Sequence, residues 1–208
     1  MSEREIIKIF CIVGFLFVCV LGTVSHFFYF WSGKKKIVGI FFPVNESTWE
    51  HLKLSIFPTL IFFVIGAFFI TSNSYAFALF ITLLIPMVVI PIIFYSYICV
   101  LKKSILLIDI LTFYVSVAIS WIASFLILNS NLSNEIINVI SYVGIAIIIL
   151  FYLTFTLHPP KIFLFKDPIS GEYGFWKKIF LLLSLNFFKN GFIYFQRNIL
   201  LLTHWFCF

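Results

Sequence analysis

Long apolar runs alternate with short polar breaks along this chain. Five runs, at about residues 6–30, 52–71, 75–101, 104–128 and 136–157, reach the roughly 20 residues that a helix needs to cross hydrocarbon. Hydrocarbon offers backbone amides no water, so each run must pair its own N–H and C=O groups and is expected to be helical. Strand-length alternation of polar and apolar positions is absent, so the many Val and Ile residues argue little for strands. The first run is too long for the apolar region of a signal peptide and has no small-residue cleavage site before Trp31, so it is expected to be a permanent span. Pro58 in the second run and Pro86 and Pro91 in the third predict bends. The expected fold is an all-α integral membrane protein, with residues 1–175 forming a bundle of about five transmembrane helices. Residues 176–208 form an apolar tail of uncertain structure. Its two short apolar runs, broken by Lys189 and Asn190, would make a sixth or an interfacial helix.

Composition strengthens this reading. Of 208 residues, 62% are hydrophobic and only 11% are charged, and the mean hydropathy is +1.14. A soluble domain carries about a quarter charged residues, so this chain cannot cover a water-facing surface. The expected partner is therefore the lipid bilayer, whereas a protein partner is not specified. The net charge of +6 does not signal nucleic acid, because the lysines cluster in short breaks between apolar runs, as at Lys34–Lys36, Lys102–Lys103 and Lys177–Lys178. Basic breaks alternate with uncharged or acidic ones. Abundant Phe, Ile, Asn and Lys fit an AT-rich coding sequence and hence a bacterial plasma-membrane protein; the positive-inside rule then predicts its N-terminus outside, with the "NESTWEH" stretch and the segment after the fifth span in the cytoplasm. Cys11, Cys19, Cys99 and Cys207 show no CxxC spacing and read as small hydrophobes.

Polar residues concentrate in "PVNESTWEHLKL", residues 43–54. Much of this stretch reads as a helix start. Asn45 as N-cap places Val44 and Trp49 at staple positions and Glu46 in the first turn; Ser47 as N-cap makes a capping box with Glu50. Trp49 suits an interface belt and Lys53 a snorkelling anchor. Capping leaves over His51 and one of the two glutamates. The topology brings His26, Asp109 and His158 to the same membrane level. Glu46, Glu50 and His51 are thus candidate catalytic groups, and His26, His51, His158 and Glu50 are candidate metal ligands. Asn45, Trp49, Lys53 and Asp109 are accessory residues of the same layer.

Three stretches carry a family resemblance: "HFFYFWSG" (His26 to Gly33), "PVNESTWEHLKL" and "PPKIFLFKDPISGEYG" (Pro159 to Gly174). Together they resemble the signature blocks of a family of small uncharacterised polytopic bacterial membrane proteins, the domain of unknown function 6512. The likeness covers about residues 10–174 and implies about five membrane helices. It implies no activity, and the family pattern ends before the tail.

Three functions compete. The first is a membrane-embedded divalent-metal site or metal-dependent enzyme, which needs imidazoles and a carboxylate around one open position. The second is a proton-coupled transporter using an acid–histidine relay, although its ionisable groups should then lie at the midplane. The absence of an internal repeat also weighs against that reading. The third is a non-catalytic scaffold or accessory subunit whose basic rim attracts anionic lipid. HExxH, GxSxG and P-loop motifs are all absent.

Overall fold

The computed structural model describes residues 2–130 and 132–175. The tail from 176, with the expected sixth helix and Cys207, lies outside them. The described residues form α1 (Glu3–Ser25), α2 (Phe28–Trp31), α3 (Lys36–Phe41), α4 (Thr48–Gly66), α5 (Tyr75–Leu101), α6 (Leu106–Leu128), α7 (Glu135–Leu157) and a 3-10 turn at Phe163–Phe165. Among them no strand forms beyond one isolated bridge between Lys166 and Tyr173. Five helices (α1, α4, α5, α6 and α7) are long and apolar enough to cross a membrane.

Run boundaries follow local chemistry. Ser2 caps α1 in a full capping box with Glu5, and Asn134 caps α7 through Ile137 N–H. The first run, expected to continue to residue 30, breaks after Ser25. There the Ser25 hydroxyl donates back to Gly22 O at 2.9 Å and Phe27 N–H pairs three residues back with Val24. The chain then makes α2, turns through Gly33 and Lys34 at φ +71° and +61°, and makes α3, a helix that the apolar pattern did not foresee. The helices α4 and α5 run unbroken through Pro58, Pro86 and Pro91.

Burial follows membrane logic. The least hydropathic span, α4, is the most enclosed, with 67% of its apolar window buried against 17–39% for the other four. Outside it, α1 turns Ile9, Ile12, Leu16 and Val20 outward, and α6 turns out Leu107, Leu111, Ile122 and Leu126. A surface of this make-up fits contact with a lipid bilayer. Several buried Ser and Thr hydroxyls donate back along their own helices, as Thr82 does to Ala78 and Ser116 to Thr112, which lets small polar residues sit between helices. Cys11 is buried, whereas Cys99, expected to be buried too, lies on the outer surface of α5.

The helices alternate in direction. Ser72 donates to Leu128 O and Asn138 to Asn73 O at one end of the bundle, and Thr48 meets Tyr95 at the other. The second end also holds the end of α1, α2, α3, the start of α4, Lys102–Lys103 and residues 158–175; it is called the basic end below.

Candidate metal centre

At the basic end, α1 and α4 approach each other through Gly22. A Cβ there would sit about 2.6 Å from Leu54 O, so only glycine permits this spacing. His26 lies one turn beyond Gly22, and His51 lies one turn before Leu54. The close approach therefore brings the two imidazoles together, with Nε2 to Nε2 at 3.2 Å.

The third group comes from the start of α4. Ser47, not Asn45, is the N-cap, accepting from Glu50 N–H at 3.4 Å. The capping box stays half-made, because the Glu50 carboxylate turns away and Asn45 Oδ1 accepts from Ser47 N–H instead. With Ser47 as cap, Glu46 occupies the position before it and His51 the fourth helical position. Those are the two places where a hydrophobic staple brings side chains into contact. Here they hold a carboxylate and an imidazole: Glu46 Oε2 lies 3.3 Å from His51 Nε2 and 3.6 Å from His26 Nε2. The three side chains form a group capable of holding a metal ion.

The geometry is compatible with a metal ion. Bonds of about 2.1 Å in a tetrahedral site place neighbouring ligand atoms about 3.4 Å apart. The observed separations of 3.2, 3.3 and 3.6 Å straddle that value. His51 is also oriented as a ligand should be. Its Nδ1 lies 2.9 Å from Ser47 O, and a carbonyl only accepts, so Nδ1 donates and Nε2 faces the other two groups. A proton or a cation must sit among these atoms. Burial alone would push the Glu46 carboxyl up, but hydrogen bonds and charge from His26 and His51 outweigh it and hold the group well below its ordinary 4.5. The three side chains are 17%, 38% and 33% exposed (His26, Glu46 and His51), so the centre is reachable from outside.

The other expected residues lie elsewhere. Glu50 is buried in an ion pair with Lys53 at 2.7 Å, also accepts from Val44 N–H, and is not part of the cluster. Lys53 does not snorkel, because it is fully enclosed and donates to Gly39 O at 3.0 Å. Trp49 is no interface anchor either: it stacks on buried Tyr152 with centroids 4.5 Å apart and packs against Phe165. Asp109 accepts from Tyr97 and Ser104 across the α5–α6 turn. His158 is exposed at the end of α7 and is not part of the cluster. Asn45 acts as a strut, its Nδ2 donating to Gly174 O at 2.9 Å and tying the Glu46 loop to the segment after α7. Sequence reading missed this tie. The staple positions around Ser47 were the signal for the Glu46–His51 contact.

Five lipid-length helices, a central polar one and a histidine–glutamate cluster at one end have the make-up of a multi-pass membrane protein with a candidate ligand group at its rim. The chain belongs to DUF6512, a family of unknown function, whose profile matches residues 2–175. No curated protein and no solved structure matches it.

Proposed function

We propose that the protein is a membrane-embedded metal-dependent enzyme of the hydrolytic type, with His26, Glu46 and His51 holding one divalent ion of the zinc class. The observation that carries this reading is the convergence of three ligand atoms at tetrahedral spacing, one of them oriented through its second ring nitrogen. Three protein ligands leave a fourth position for water, whose pKa such an ion lowers to about 7. Such an ion would supply a hydroxide near neutral pH without a separate base. The centre is assigned to the cytoplasmic face of a bacterial plasma membrane, because Lys34–Lys36 and Lys102–Lys103 share its end of the bundle.

The proton-relay carrier is disfavoured by one feature. Between residues 54 and 66 of α4, and through the middle of every other described span, no carboxylate or imidazole occurs. The test of the metal reading is elemental analysis of protein purified without chelator. It should carry about one ion per chain, and His51→Ala and Glu46→Gln should each lose most of it. Equal metal content in wild type and His51→Ala would remove the proposal.

A further inference from the structure

Two of the three ligand residues bracket a single excursion of the chain. His26 stands just before residues 27–45, and Glu46 just after. That excursion contains α2 and α3. Four of its apolar side chains are exposed: Phe30 is 53% exposed, Trp31 65%, Ile37 68% and Phe41 43%. At its tip Lys35 and Lys36 are exposed beside Lys34, where the backbone turns through two positive-φ residues. Aromatic contacts run from this surface into the centre, since Trp31 stacks on Phe27 at 5.6 Å and Phe27 meets the His26 ring at 5.2 Å.

The level matters as much as the chemistry. The ligands sit where α1 ends and α4 begins, at the boundary of the hydrocarbon layer, which is where phospholipid headgroups lie. Exposed aromatic rings settle at that depth, and lysines beside it attract anionic headgroups. A site for a water-soluble phosphate would have no use for four outward-facing apolar side chains. A zinc-class ion with an open position accepts a phosphate oxygen readily.

Resting on the metal reading above, we propose that the ligand of this centre is the phosphate-bearing headgroup of an anionic phospholipid from the adjoining leaflet, landing on residues 27–42. The excursion would guide the acyl chains along Phe30, Trp31, Ile37 and Phe41, and the lysine tip would attract the headgroup charge.

The test uses the full chain in non-ionic detergent, loaded with cobalt, whose visible absorption reports its ligands. Short-chain phosphatidylglycerol should shift the cobalt band at concentrations at least about tenfold below those needed for short-chain phosphatidylcholine or inorganic phosphate. The double variant Lys35→Gln/Lys36→Gln should raise the phosphatidylglycerol requirement on the order of tenfold, with cobalt stoichiometry unchanged. A cobalt band that ignores phosphatidylglycerol overturns the proposal. So does an equal response to phosphatidylcholine or to inorganic phosphate, or a preference that the lysine variant leaves intact. A chain that takes up no cobalt fails the metal reading and this inference together, whereas one that takes up cobalt and ignores the lipid fails here alone.

Discussion

At the residue scale, Ser47 directs most of what happens around the cluster. Its hydroxyl caps α4, its carbonyl holds His51 Nδ1 and its amide is held by Asn45. Glu46, the residue before it, owes its low pKa to the two imidazoles. A carboxyl whose folded value lies below its ordinary 4.5 contributes stability that is complete above about 4.5 and is lost as pH falls through the lowered value. In chelator-treated protein, the melting-temperature gap between wild type and Glu46→Gln should therefore stay constant from about pH 6 to 5 and close below 4.5. A gap that widens on acidification would contradict that assignment. The Glu50–Lys53 pair behaves differently because both side chains are enclosed. Lys53→Met strands a buried carboxylate and should cost about 3–5 kcal/mol, while the double variant Glu50→Gln/Lys53→Met should recover most of that in thermal melts. Single-variant losses under about 1 kcal/mol would show that the pair is solvated.

At the scale of elements, the α1–α4 crossing sets the distance between the two histidines. Gly22→Ala places a methyl group against a backbone carbonyl, which cannot rotate aside as a side chain would. The helices must part, at about 1–3 kcal/mol, and His26 moves off with α1. Cobalt affinity of Gly22→Ala should fall at least about tenfold, because ligand spacing tolerates only a few tenths of an ångström; unchanged affinity would mean that the crossing does not position the site. Much at this scale is legible in sequence. The third run coincides with α5, and the fourth and fifth begin within two residues of α6 and α7, because hydropathy marks where a helix enters lipid. The end of α1 and the whole of α3 escaped, since both are decided by backbone turns at Ser25, Gly33 and Lys34 rather than by apolar periodicity. The layer at one end was also legible, and His26, Glu46 and His51 all stood among the expected site residues; which other members of the layer join them was not legible. Height along a helix follows from counting residues, whereas direction around it depends on neighbours. That is why Glu50, Asp109 and His158 share the level of His26 and His51 but face other partners.

On the scale of the whole molecule, the least apolar of the five described spans is enclosed by four greasier ones, whose outward faces fit contact with lipid. Cysteines introduced at Lys35 and Lys161 should both react with a membrane-impermeant thiol reagent from the same, cytoplasmic side; reactivity from opposite sides would break the topology. Asn45 grips Gly174, 129 positions further along the chain. During synthesis the Glu46 loop is therefore made long before its fastening, and it stays unlatched until the last of the matched segment emerges. A chain cut short before Gly174 would hold all five described candidate spans and still lack the bond that fastens Asn45, the neighbour of Glu46.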